Sequence, residues 1–425
     1  MKKITAPTVL AYLLVAPAMA QQANLVDTYK DLHAHPELSH HEERTAGLLA
    51  AELRKSGYTV TERVGKYPDG AQAYGVVAIL ENGRGPRLLI RADMDALPIV
   101  EETGVAYASQ VKGVMHACGH DVHVATMIGT ARALAAAKAK WHGTLMLVGQ
   151  PSEETIDGAK ALLADHLFER FGTPDLAIAL HDTNSRAAGT VGVTSGPALT
   201  SSTSVNVVLR GIGAHGAQPQ AGKDPIVMAG EFIVQLQTIV SRQENPRDPS
   251  IVTIGSIHGG TKRNIIPNEV KMEITARAYT DKARQVILDG IRRTAQGVAL
   301  SAGVPEDLAP IVTVLDAEST PVMYNDPKLT ARVRAALVRA LGAQNVIDEE
   351  PGTASEDFGI LGLEGRKIPT MMFGLGAIDP GKFAAAAAEG KLVPGPHNSR
   401  FEPAPEPTLR TGVTAMSAVA IALLQ

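Results

Sequence analysis

Three apolar runs in the first half of this 425-residue chain end in the same way. RLLIRADMD runs into Asp93 and Asp95, TLMLVGQPSEE into Glu153 and Glu154, and LAIALHD into His181. Each run is short, rich in Val, Ile and Leu, and bounded by turn residues, which predicts buried strands. A fourth run, YGVVAILE at 74–81, has the same style, and helical patterns cover 121–140 and 157–171. Strand alternating with helix predicts an α/β layer with a largely parallel sheet. Ligands of such sheets bind beyond the carboxyl ends of the strands. If the three runs are parallel, all five polar side chains reach one edge. HACGHDVH (116–123) opens the helix between two of these strands and reaches the same edge.

The pattern changes near residue 200. SSTSVNVVLRG (201–211), SIVTIGSIHGG (250–260) and EVKMEITARAY (269–279) alternate like half-buried antiparallel strands, with long helical patterns at 224–243 and 281–303. The buried-strand style returns at IPTMMFGLG (368–376), before a closing helix at 408–425. The expected architecture is therefore an α/β domain in two pieces, 21–200 and 318–425, with an α+β unit inserted at 201–317.

Residues 1–20 open with two lysines, continue through a short apolar stretch and end in Ala18-Met19-Ala20. This predicts a signal peptide cleaved after Ala20, and an exported protein, periplasmic or secreted. The stretch is too short and Pro-interrupted for a good membrane span. Export sharpens the question of Cys118, the one cysteine in the chain. A lone cysteine closes no intramolecular disulfide, and an exposed thiol there is open to oxidation. A metal-bound thiolate is partly protected. With net charge −4 and 4% aromatic residues, the composition does not favour nucleic acid.

Cysteine, histidine, aspartate and glutamate at one sheet edge form the ligand inventory of a metal hydrolase. Thiolate and imidazole suit zinc and its late first-row neighbours, and carboxylates can bridge two ions. Glu153 and Glu154 are adjacent, so on an extended segment they point opposite ways. One can ligate while the other faces substrate as a general base.

The motifs DLHAHPELS, RADMDALP, MHACGHD, GQPSEE, LHD, GIGAHGAQP, GTKRNIIPNEV, SEDF and PHNSRF occur in this order. With them the chain, over residues 27 to 424, resembles the hippurate hydrolase and N-acyl-amino-acid amidohydrolase branch of the di-metal aminoacylase–carboxypeptidase family. The resemblance implies a catalytic α/β domain with an inserted lid, often used for dimerisation, and hence a homodimer. It implies two divalent metal ions (Zn, Mn, Co or Ni) on Cys118, His120, Glu154, His181 and His397, with Glu153 as general base. It also implies that lid residue His215 reaches substrate in a neighbouring subunit, and that Asn264 and Arg277 suit a substrate carboxylate. The expected reaction is cleavage of the amide bond of an N-acyl amino acid or small peptide-like amide by a metal-activated water. The chain departs from the family at TIDGA (155–159), where a glycine-rich run often follows the glutamate pair.

Other residues receive plainer readings. Asp93, Asp95 and Asp121 are expected to support ligands from behind, as are His116 and His123. His33, His35, His40 and His41 are read as structural or exposed, and Ser355, Glu356 and Asp357 form a motif without a derived role. Two other functions fit parts of the pattern. One is a thiol amidase with Cys118 as nucleophile and His120 as base, which leaves Glu154, His181 and His397 idle. The other is an exported metal- or amino-acid-binding protein without turnover, against which Glu153 argues.

Overall fold

A computed structural model describes residues 24–362 and 367–425, so the expected signal peptide lies outside the described residues. Two compact units emerge. The first comprises residues up to Gly196, Asn325–Glu350 and Leu361–Gln425; the second comprises Pro197–Tyr324 and Pro351–Ile360. Among the described residues no helix is long and apolar enough to cross a membrane.

The first unit opens with α1 (24–34), α2 (Glu43–Lys55), β1 (Thr59–Lys66), β2 (Gln72–Asn82), β3 (Arg87–Asp93) and α3 (His120–Ala136). It continues through β4 (Gly143–Gln150), α4 (Gly158–Ala164), α5 (Leu167–Phe171), β5 (Leu176–Ala187) and β6 (Val191–Val193). Next, β7 (Gly196–Leu199) leads into β8 (Ser201–Arg210), β9 (Ala214–His215), α6 (Pro225–Thr238), β10 (Ser250–Gly259) and β11 (Ile265–Ile266). The second unit goes on with β12 (Glu269–Ala278), α7 (Asp281–Ser301), β13 (Ile311–Thr320) and β14 (Met323–Asn325). The chain closes with α8 (Pro327–Leu341), β15 (Val346–Asp348), α9 (Phe358–Leu361), β16 (Thr370–Ile378), α10 (Pro380–Ala388) and α11 (Pro405–Leu423).

The first unit is built on an eight-stranded sheet ordered β1-β2-β4-β3-β5-β16-β6-β15. β3 pairs in parallel with both β4 and β5, and β5 with β16. These strands are buried on both faces, which is why they read as unbroken apolar runs. β1 and β2 extend the sheet antiparallel, so YGVVAILE is a strand of the opposite sense to its neighbour β4. Over α3 the sequence shows little one-sided patterning because the helix is buried nearly all round. The helical pattern at 157–171 breaks into α4 and α5 at His166, whose φ is 59°. The helix expected over 224–243 also changes, to a π-turn at Ile239–Gln243 after α6 ends.

The second unit is an antiparallel sheet, β10-β12-β8-β13, whose alternating inward side chains pack with α6 and α7. Residues 351–360 also belong to it, so Ser355, Glu356 and Asp357 lie in this unit.

One buried side chain fastens the centre of the first sheet. Asn325 Nδ2 donates to Met372 O (2.9 Å) and Thr194 O (2.8 Å), and its Oδ1 accepts from Met372 N (2.8 Å). It thus replaces a neighbouring strand for part of β16. Asn325→Ala removes those bonds from buried backbone groups, and a loss of about 2–3 kcal/mol is expected. The denaturant midpoint measures it; an unchanged midpoint contradicts this role.

Candidate metal centre

The parallel register sets the site. Asp93 at the end of β3 lies opposite Gln150 at the end of β4, and β5 runs on to His181 beside them. The residues just past these ends, Asp95, Glu153 and Glu154, continue from the same edge. The N-terminus of α3 supplies Cys118 and His120 from between β3 and β4 in the chain.

Donor atoms from these segments converge. Ligand atoms of Cys118, His120 and His181 lie within 4.8 Å of one another, as do those of Cys118, Glu154 and His397, and those of His120, Glu153 and Glu154. Cys118 Sγ is 3.6 Å from His181 Nε2, and His397 Nε2 is 3.3 Å from Glu154 Oε1. The His397 backbone N–H donates to Ala117 O (2.7 Å), so the last segment docks directly beside Cys118. Residues from four places in the chain therefore share one centre.

The residues behind fix its orientation. His120 Nδ1 bonds to Asp95 O at 2.8 Å, which turns Nε2 inward; that nitrogen is buried and makes no hydrogen bond among the described residues. Asp95 Oδ2 accepts from Glu154 N (3.0 Å) and Ser39 Oγ (2.7 Å), so one aspartate aligns two candidate ligands. Asp93 pairs with Arg91 and lies 2.5 Å from His123 Nδ1. His123 Nε2 lies 3.0 Å from Asp182 N and 3.2 Å from Asp182 Oδ1; burial opposes protonation of this ring, but Asp93 and Asp182 together raise its pKa to about 9. Asp182 also explains Gly119. A Cβ at that glycine would fall 2.2 Å from Asp182 Oδ2, and its φ is 81°. Only a glycine lets the loop carrying Cys118 and His120 approach that carboxylate.

The electrostatics are those of a site short of positive charge. Burial pushes the Cys118 thiol well above its usual value, though the neighbouring His120 opposes this. An unassisted thiol nucleophile needs the reverse shift. Burial disfavours a charged His120, yet Asp93, Cys118 and Asp95 together outweigh it and hold the ring well above the usual imidazole range. His181 is lowered by burial and by His123, which keeps it in the neutral form that ligates. The buried, unbonded His120 Nε2, a thiol, imidazoles and two adjacent carboxylates fit divalent metal ions of the zinc type.

The remaining sequence candidates lie in various places. Asp121 accepts from Val122 N and lies 2.6 Å from His33 Nδ1, and the far side of that ring meets Glu101 Oε1 at 3.2 Å. His116 is buried with neither ring nitrogen hydrogen-bonded among the described residues, and burial lowers it to about 4. His35 is half-buried, and His40 and His41 are exposed. His215, Asn264 and Arg277 belong to the second unit. Ala217 N donates to His215 Nδ1 (3.1 Å), and Gly216 N bonds to Asn264 O (2.8 Å). Arg277 Nη1 donates to Ser355 Oγ (2.7 Å), which gives the SEDF motif a contact. Sequence reasoning missed Asp182, whose signal was its place beside His181 at a strand end. The partners of His33, a residue read as structural or exposed, were not foreseen and lie 68 and 88 residues away.

Residues 89–421 match peptidase family M20/M25/M40. The chain is 36% identical to N-acetyl-L-cysteine deacetylase of Bacillus subtilis over 79% of its length and 77% of that protein. It is 34% identical to hippurate hydrolase of Campylobacter jejuni, covering 77% and 82% respectively. A crystal structure of a dinuclear metal-binding peptidase of the M20 family from Bacillus subtilis superposes with a TM-score of 0.77 at 29% identity, covering 96% and 99% of the two chains.

The pair of carboxylates on His33 generates a pH-dependent prediction. Burial opposes protonation of this histidine, but Asp121 and Glu101 outweigh it and push its pKa to about 10. A raised value stabilises the fold fully below about 6.5 and loses that contribution as pH rises through about 10. His33→Gln should cost about 3 kcal/mol or more near pH 6 and progressively less towards pH 10, read from denaturant midpoints. A cost that does not change with pH contradicts the charged pair.

Proposed function

The chain belongs to peptidase family M20/M25/M40 and is a hydrolase, and from that premise we propose that it cleaves the amide bond of N-acyl amino acids or small peptide-like amides, using two divalent cations. The observation that carries this reading is the meeting of Cys118, His120, Glu154, His181 and His397 around shared donor positions, with Glu153 at the same edge. The named substrates of two relatives, N-acetyl-L-cysteine and hippurate, are both N-acyl amino acids.

Bound cations would supply Lewis-acid activation of a water and positive charge against the oxyanion. Cys118, His120, Glu154, His181 and His397 hold them in this reading. Glu153, nine-tenths buried, takes a proton from the water as its oxygen attacks the amide carbon. It then gives that proton to the departing amine nitrogen, so one water yields a carboxylic acid and an amine. Asp93, Asp95 and His123 keep the surrounding groups oriented. On the second unit, His215 offers its Nε2–H to the developing oxyanion from a neighbouring subunit, and Asn264 and Arg277 suit a substrate carboxylate.

A homodimer through the second unit accompanies this proposal. β10 is an edge strand with exposed Ile251 and Ile257, and α6 exposes Ile226, Val227 and Val234. An unprotected edge beside exposed apolar side chains favours burial against a second copy. Export to the periplasm or medium is proposed from residues 1–20 alone.

Glu153→Gln keeps the size of the side chain and removes its basicity. The expected result is full metal content with kcat lowered by roughly 100-fold or more, measured on a panel of N-acyl amino acids. Turnover near that of the parent enzyme contradicts the assignment of Glu153.

A further inference from the structure

Glu153 and Glu154 lie in a backbone turn between β4 and α4, in which Ile156 N bonds to Glu153 O (2.8 Å) and Gly158 N to Ser152 O (3.1 Å). Ser152 adopts φ 54° and Ile156 φ 64°, both in the left-handed region that costs a non-glycine residue about 1–2 kcal/mol. The turn is also tight, since a Cβ on Gly158 would lie 1.7 Å from Pro151 O. Support from outside the turn adds to the bonds within it.

That support comes from Glu42, about 110 residues earlier, at the start of α2. Its carboxylate is fully buried. One oxygen, Oε1, accepts from Ser152 N (2.8 Å), Ser152 Oγ (3.1 Å) and His40 N (3.1 Å). The Ser152 hydroxyl is then fully used, because its proton goes to Glu42 while it accepts from His40 N (2.9 Å) and Tyr67 OH (2.6 Å). The next residues along are Glu153 and Glu154, and Glu154 N is held by Asp95 Oδ2. The glutamate pair is therefore pinned at both ends, by Glu42 through Ser152 and by Asp95 directly. Between those pins the backbone of Glu153 is held in place.

We propose that Glu42 is a positioning residue for the reaction, holding the left-handed turn at Ser152 so that the Glu153 carboxylate points at the attacking water. This rests on the reading of Glu153 as the general base. Glu42 touches no reacting atom and acts only through Ser152. A displacement of about 1 Å at a catalytic group can cost 100-fold in rate, which is the scale at issue.

The test is a double-mutant cycle in the full chain loaded with metal, with Glu42→Ala made in the parent and in the Glu153→Gln enzyme. Metal per protomer, kcat, KM and denaturant midpoint are measured for each. Glu42→Ala should lower the kcat of the parent by roughly 10- to 100-fold with KM little changed. In the Glu153→Gln background it should change the residual kcat by less than about 2-fold, because the base it positions is already gone. Glu42→Gln, which keeps an acceptor oxygen for Ser152, should restore most of the activity. If Glu42→Ala does not fold, Ser152→Ala replaces it in the same cycle and carries the same expectation. Equal factors in both backgrounds, or no loss in the parent, overturn the positioning role and leave the base in place. Parent-like turnover in Glu153→Gln alone overturns the base and the positioning role together.

Discussion

Negative charge crowded into a buried sheet edge is the constraint on which the first unit depends. Asp93, Asp95 and Asp182 are fully buried there, Glu153 nearly so, and Glu154 is largely covered. Carboxylates removed from water must be hydrogen-bonded or matched by positive charge, and mutual repulsion adds to the cost. The fold answers in part with Arg91, His120 and His123, and with backbone N–H groups. The donor atoms that remain face one another around Cys118, His120 and Glu154, where divalent cations would complete the balance.

Local backbone geometry follows from that demand. Gly119 is left-handed where Cys118 and His120 meet Asp182, Ser152 is left-handed before Glu153, and His397 itself has φ 65°. Two of these loops, at Ser152 and His397, thus hold a non-glycine residue in a conformation that Gly119 adopts freely. Such departures persist only where surrounding structure over-determines them. Here Glu42 and the bond from His397 N to Ala117 O do so.

Much of this was legible in the sequence because the parallel sheet converts a one-dimensional pattern into a place. An apolar run that ends in an acid or histidine marks a strand end, and parallel strands put their ends together. Asp93, Glu153, Glu154 and His181 could be gathered by that rule alone, while His397 follows β16 by nineteen residues and needed a motif. What stayed hidden were partnerships across long separations. His33 reads as one of several structural or exposed histidines, and the two carboxylates that enclose it lie far along the chain. Glu42 sits among polar residues, HHEER, and nothing in that stretch signals a buried carboxylate. The sense of β2 and the break at His166 were also beyond pattern reading, since periodicity carries neither strand direction nor left-handed backbone.

Anomalous diffraction from crystals grown with manganese or zinc tests the central claim most directly. The account predicts two anomalous peaks at bonding distance, roughly 2.0–2.5 Å, from ligand atoms of Cys118, His120, Glu154, His181 and His397. Peaks held by other side chains, or no peaks at this edge in metal-loaded active protein, would contradict it.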